Sequence, residues 1–216
     1  MGSKIRAVLF DLDGVLRDSR DAIWPALEYA LEQHGVDVSD REPLRPFAHN
    51  LFAVHEEFAA HVPRELFVAA YDKKLDSLRH TMKLYDTADV VIRRLHTQGY
   101  RLGLVTSARM GGKTLEDAGL DHLFDAVVGG LDVKERKPHP EPMQLALKKL
   151  GLRAGQAVMV GDLPADIQSA KAAKLAVTIG LTDGFGTRQM LEAANPDYII
   201  DSLADLEELL DKIQKA

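Results

Sequence analysis

The 216-residue chain contains no cysteine, which excludes a disulfide framework, a thiolate metal centre and a cysteine nucleophile, and which suits a reducing compartment. No apolar run approaches the roughly 18 residues needed to cross a bilayer. The stretch after Met1–Arg6 is four apolar residues closed by Asp11, too short for the core of a secretory signal. Positive charge is also scarce: 27 Lys and Arg stand against 33 Asp and Glu, a formal net charge of −6. Such a balance does not suit a surface that must neutralise many nucleic-acid phosphates. The chain shows no repeat or low-complexity tract. These absences lead us to expect a cytoplasmic monomer or homodimer that binds neither nucleic acid nor membrane.

What the chain does have is an alternation of short apolar runs with helical patterns. Ala7-Val8-Leu9-Phe10, Leu102-Gly103-Leu104-Val105, Ala126-Val127-Val128, Ala157-Val158-Met159-Val160, Val177-Thr178-Ile179 and Tyr198-Ile199-Ile200 read as strands covered on both faces, because their apolar character is nearly continuous. Between them, Ala88, Val91, Ile92 and Leu95, and again Met143, Ala146, Leu147 and Leu150, keep the spacing of one helix face. Gly99 and Gly151 stand where those helices should end. Near the chain's end, Ser202 and Asp205 can cap a helix carrying Leu206, Leu209, Leu210 and Ile213. The pattern predicts an α/β fold, a doubly wound parallel sheet with helices on both faces. Residues 17–82 break the rhythm with helical stretches and no convincing strand. The expectation is a Rossmann-like core of residues 1–16 and 83–216 with a helical insertion at 17–82 that covers the sheet's carboxyl edge, where such folds bind ligands.

The strand ends carry the chemistry. The first runs into Asp11-Leu12-Asp13-Gly14. Two carboxylates this close either raise one pKa or are reconciled by a divalent cation; alternatively, the segment is an ordinary Asp-Gly turn. A later strand ends in Gly161-Asp162, followed by Asp166 at a helix start, where an Asp is often only a cap. Two strand ends delivering acidic pairs to one edge are harder to explain as caps. Together they offer hard oxygen ligands suited to Mg²⁺. Thr106 and Ser107 end another strand with hydroxyls able to hold an anionic oxygen. Lys137, in Lys137-Pro138-His139-Pro140, supplies a cation whose direction the prolines restrict.

Taken in order, DLDGVL at Asp11, LVTS ending at Thr106 and Ser107, Lys137 in KPHP, and VGDLPAD from Val160 to Asp166 resemble the four motifs of the haloacid-dehalogenase-like hydrolase superfamily. The inserted helices, with Asp18-Ser19 before them, resemble the cap of its phosphoglycolate-phosphatase-like subfamily. The resemblance implies that Asp11 is a nucleophile forming an aspartyl-phosphate and that Asp13 is the acid and base. It implies that Thr106 and Lys137 hold the transferring group. Mg²⁺ would be bound by Asp11, the carbonyl of Asp13, Asp162 and Asp166. Gly14, Ser107, Arg45 and His49 become substrate-binding candidates, with Asn50 in the same stretch.

The second acid, Asp13, favours phosphatase over dehalogenase or phosphonate-cleaving relatives. Ile23 occupies the place where sugar-phosphate mutases of this kind carry a histidine. The expected activity is therefore a Mg²⁺-dependent phosphatase of a small phosphorylated metabolite such as phosphoglycolate. A pyrophosphatase, a nucleoside-monophosphate phosphatase, a mutase and a non-catalytic binding protein are the alternatives.

Several positions depart from the pattern or mislead. Asp86-Thr87 replaces a common Pro-Gly pair. Lys174 stands where glycine is often found, so the helix end there is expected to differ locally. Arg17 is larger than the small apolar residue expected, and reads first as a solvated surface side chain, with contact to the substrate as the alternative. Gly111-Gly112-Lys113-Thr114 lacks the first glycine of a phosphate-binding loop, Ser107 standing in its place. His49, His55 and His61 recur every six residues, which is not metal-ligand spacing on a helix.

Overall fold

The computed structural model describes residues 4–48, 50–108 and 111–215; the His49 candidate lies outside them. The chain divides into two compact units, one of Met1–Arg17 and Leu84–Ala216 and one of Asp18–Lys83. In chain order the elements begin with strands β1 (Ala7–Phe10) and β2 (Arg17–Asp18), then helices α1 (Arg20–Glu32), α2 (Leu51–Phe58) and α3 (Arg64–Leu78). Next come β3 (Lys83–Leu84), α4 (Asp86–Thr97), β4 (Arg101–Val105), α5 (Gly111–Asp117) and β5 (Ala126–Val128). The chain finishes through α6 (Glu141–Leu150), β6 (Ala157–Gly161), α7 (Pro164–Ala172), β7 (Val177–Leu181), α8 (Arg188–Ala194), β8 (Tyr198–Ile200) and α9 (Leu206–Lys215). No helix among the described residues is long and apolar enough to cross a membrane.

The six apolar runs form one sheet in the order β5-β4-β1-β6-β7-β8, every pairing parallel. From β1 the chain therefore builds to one side through β4 and β5, and then to the other through β6, β7 and β8. That reversal makes the carboxyl ends of β1 and β6 a topological switch point, the crevice where open α/β sheets hold ligands.

Alternation along each strand splits the core in two. Val8, Phe10, Leu102, Leu104, Val158 and Val160 face one cluster, covered by α4 through Ala88, Val91, Ile92 and Leu95 and by α9 through Leu206 and Leu210. Ala7, Leu9, Val105, Ala157 and Met159 face the other, covered by Met143, Ala146, Leu147 and Leu150 of α6. Both faces are thus closed, which is why the strands read as continuous apolar runs.

In the helical unit, α1 packs chiefly on α3 and buries Ile23, Ala26, Leu27, Ala30 and Leu31. Asn50, a candidate neighbour of substrate from sequence, is the cap of α2, its side chain accepting from the amides of Phe52 and Ala53. The guanidinium groups of Arg41 and Arg45 each lie 5.8 Å from the centre of the Trp24 ring, in cation–π range. His55 is buried with Nε2 2.8 Å from the carbonyl oxygen of Val62, and among the described residues no metal-ligand cluster includes it or His61.

The expectation at Lys174 requires correction. The helix end does not change to accommodate lysine: Lys174 adopts φ 61°, and the amide of Leu175 closes back on the carbonyl of Ala170 at 3.0 Å, as a left-handed glycine would allow. A non-glycine residue in this conformation costs about 1–2 kcal/mol, partly offset in a glycine variant by the added freedom of its unfolded chain. Lys174→Gly should therefore raise the unfolding free energy by about 0.5–1 kcal/mol. Urea denaturation of both proteins measures it, and a decrease would show that Lys174 makes contacts that outweigh the strain.

Candidate active site

Parallel pairing sets the site. Phe10 is in register with Leu104 on one side and Val160 on the other, and the amide of Asp11 continues the ladder to the carbonyl of Val160 at 3.0 Å. Asp11 therefore leaves β1 beside the ends of β4 and β6. Lys137 reaches the same point from the loop between β5 and α6, through a cis Lys137-Pro138 bond. That loop is held by Glu141, whose carboxylate accepts from the amides of Lys134 and Glu135, and by Ser169, whose hydroxyl donates to the carbonyl of His139 at 2.7 Å.

At the centre, Lys137 Nζ lies 2.8 Å from Asp11 Oδ1 and 2.5 Å from Asp166 Oδ1, and donates to the carbonyl of Val105 at 3.1 Å. Asp166 Oδ2 accepts from the amide of Leu163, so its place at the start of α7 serves a cap and an ion pair together. Asp162 completes the group: its Oδ2 accepts from the amide of Phe185 at 2.7 Å, while its Oδ1 is buried with no hydrogen-bond partner. One oxygen each of Asp11, Asp162 and Asp166 lies within 4.8 Å of the others. All three residues, and Lys137, are at most 4% exposed.

One ammonium cannot balance three buried carboxylates. Burial pushes Asp11 up to about 7, against the pull of Lys137 and with the help of Asp166. Burial, then Asp166 and Asp11, push Asp162 well above the usual carboxylate range. Burial alone would pull the Lys137 ammonium down, but Asp11 and Asp166 outweigh it and hold it above the ordinary lysine range. An orphaned carboxylate oxygen, hard donors converging within a few ångströms and a surplus of negative charge are what a divalent cation relieves. The residues fit such an ion.

The other sequence candidates fall into two sets. Thr106 and Ser107 stand at the end of β4; Thr106 Oγ1 accepts from the amide of Ala108 at 3.0 Å, leaving its proton to donate, and Ser107 Oγ is buried without a partner. The Asp13 side chain stands outside the three-carboxylate group, and its carbonyl accepts no hydrogen bond among the described residues. Gly14 does not offer a free amide, since its N–H donates to the carbonyl of Arg17 at 2.8 Å. Arg45 is engaged in its own unit by Glu42, at 2.7 Å, and by Trp24. Arg17 is not a solvated side chain: it is 12% exposed and pairs with Asp13 Oδ1 at 2.7 Å.

Sequence reasoning named Gly14 as a substrate-binding candidate but missed that it and Gly184 make room for Asp162. A Cβ on Gly14, at φ +86°, would stand 2.2 Å from Asp162 Oδ2, and one on Gly184 would stand 2.1 Å from it. A Cβ on Gly161 would meet that of Asp166 at 2.2 Å. The signal for Gly184 was available as Thr182-Asp183-Gly184-Phe185-Gly186, a glycine-rich turn leaving β7 at the same sheet edge.

Comparison with known proteins places these features in context. A family model described as haloacid dehalogenase-like hydrolase matches residues 8–179. The pyrophosphatase PpaX of Bacillus cereus is 33% identical over 99% of this chain and 100% of its own. Among solved structures, a predicted phosphatase from Clostridium acetobutylicum superposes with a TM-score of 0.82 at 29% identity, covering 99% of this chain and 100% of that one. A predicted phosphoglycolate phosphatase from Haemophilus somnus gives 0.77 at 25% identity, covering 96% and 98%.

Two outcomes test this geometry. Gly184→Ala forces Asp162 aside by about 1 Å and should lower kcat of whatever reaction the site performs by about 100-fold, with the melting temperature reporting that the fold persists; unchanged kcat would remove Asp162 from the site. The second concerns pH. Asp11 is raised from 3.8 to about 7, so its contribution to stability is present below pH 4 and lost as pH rises through 7. With chelator present, the melting temperature should be several degrees lower at pH 8 than at pH 5. A divalent cation should restore more at pH 8 than at pH 5, and equal restoration would contradict the assignment.

Proposed function

The chain belongs to the haloacid dehalogenase-like hydrolase family, and on that premise we propose that it is a Mg²⁺-dependent phosphatase of small phosphorylated metabolites working through an aspartyl-phosphate. The observation that carries this reading is the buried Asp11 carboxylate at the switch point. The carboxylate is 4% exposed, its Oδ1 lies 2.8 Å from Lys137 Nζ, and it shares the group with Asp162 and Asp166.

In this reading a carboxylate oxygen of Asp11 attacks the phosphorus in line; the new P–O bond forms as the bond to the leaving oxygen breaks. Asp13 gives its proton to that oxygen. Asp13 then takes a proton from the water that attacks the aspartyl-phosphate, which releases phosphate and regenerates Asp11. Lys137 offsets charge shared by Asp11 and the phosphoryl oxygens, and the Thr106 hydroxyl donates to one of them. Asp11, Asp162, Asp166 and the Asp13 carbonyl would hold the cation, whose chemistry is to neutralise charge developing on the phosphoryl group. The helical unit is assigned the part of a cap that excludes bulk water during turnover. Ile23, apolar and buried, offers no base for a mutase.

Phosphoglycolate is the first substrate candidate, supported by the subfamily resemblance. Pyrophosphate is the second, favoured by relatives named pyrophosphatase that align over the whole chain. A cytoplasmic location and a monomer or homodimer free of nucleic acid and membrane rest on composition alone. Phosphate release from either substrate with Mg²⁺ should disappear on chelation and fall about 1,000-fold or more in Asp11→Asn. Activity that survives in Asp11→Asn would exclude the aspartyl-phosphate, and activity indifferent to chelator would exclude the cation.

A further inference from the structure

Arg17 is bound into the site by the turn that follows β1. The amide of Arg17 donates to the carbonyl of Leu12 at 2.8 Å, and that of Gly14 donates to the carbonyl of Arg17 at 2.8 Å. The chain thus doubles back so that Arg17 and Asp13 face each other as a bridge pair. Above this backbone, Arg17 Nε lies 2.8 Å and Nη2 2.7 Å from Asp13 Oδ1, while Nη1 donates to the hydroxyl of Thr114 on α5. The two side chains are 12% and 17% exposed: shielded enough for charge to matter, and open enough for a small molecule to reach.

The charges around this point are sorted. Among the described residues, Lys137 contacts Asp11 and Asp166, and Arg17 is the cation in contact with Asp13. In the proposed reaction, on which this inference rests, Asp13 must come within hydrogen-bond reach of the leaving oxygen. A guanidinium already fixed on that carboxylate then lies beside whatever the leaving oxygen is attached to. Its planar fork matches a carboxylate or a phosphate, and exchanging one anionic partner for another leaves its charge paired throughout. Arg45, the sequence's candidate for this task, is already engaged by Glu42 and Trp24.

We propose that Arg17 is a specificity-determining residue that binds the anionic part of the leaving group, so that this enzyme selects phosphate compounds whose leaving group itself carries a carboxylate or phosphate. Phosphoglycolate and pyrophosphate share that chemistry.

The test compares kcat and KM of the Mg²⁺-loaded wild type, Arg17→Gln and Arg17→Lys. The substrates are phosphoglycolate, pyrophosphate, and two esters without a second anion, ethyl phosphate and p-nitrophenyl phosphate. Melting temperatures check that the variants are folded. Arg17→Gln removes a partner of Asp13 and so lowers kcat/KM with every substrate, but the loss should be about 10- to 100-fold greater with at least one anionic-leaving-group substrate than with the pair that lacks a second anion. Arg17→Lys should recover part of the loss, chiefly in KM. Whether phosphoglycolate or pyrophosphate suffers more identifies which anion Arg17 meets. An equal loss on all four substrates would overturn the proposal and make Arg17 a positioning residue for Asp13; no loss on any would overturn it outright. A wild type that turns over none of the four would overturn the phosphatase reading and this assignment with it. A wild type that hydrolyses ethyl phosphate as well as phosphoglycolate and pyrophosphate would overturn only the role of Arg17.

Discussion

The ammonium of Lys137 is the contact on which the site depends. It is buried and joins three separate stretches of chain: the end of β1 through Asp11, the end of β4 through the Val105 carbonyl, and the start of α7 through Asp166. A buried lysine is tolerated only when its donors are satisfied and its charge is paired. The geometry of all three segments is therefore tied to one atom. The same requirement explains why the loop carrying Lys137 is held at several points by Glu141 and Ser169.

Local overcrowding of negative charge is the counterpart of that contact. Asp162 is packed among glycines and leaves one oxygen without a partner. Asp11 and Asp162 are both pushed upward by burial and by neighbouring carboxylates. A core built for stability alone would avoid this arrangement, since each unpaired buried charge is expensive. The cation and phosphoryl group of the proposed reaction would relieve that expense.

Two arginines show how little sequence position says about a side chain's surroundings. Arg45, a substrate-binding candidate from sequence, contacts Glu42 and the Trp24 ring within its own unit. Arg17 read first as a surface residue because nothing in its neighbours' identities says that the chain turns back over four residues. That turn depends on the backbone pairing of Asp13 with Arg17 and on the positive φ of Gly14. Lys174 teaches the same lesson in reverse: the backbone kept its left-handed turn and imposed it on lysine.

The sequence by itself determined the six strands of the parallel sheet and the α/β class, though not the two-residue strands β2 and β3, and it offered Asp11, Asp13, Thr106, Lys137, Asp162 and Asp166 as candidates. It could do so because double burial leaves unbroken apolar runs, and because a strand followed at once by a charged residue is legible one residue at a time. Only the tertiary structure decided which of these meet. Parallel register brought the ends of β1, β4 and β6 together, burial removed the water that would have screened their charges, and packing against Gly14 and Gly184 set the position of Asp162. The pairing of Arg17 with Asp13 and Thr114 belongs to the same class. The residue that contacts Arg17 from α5 lies 97 positions away in the chain, and no local pattern carries information over that distance.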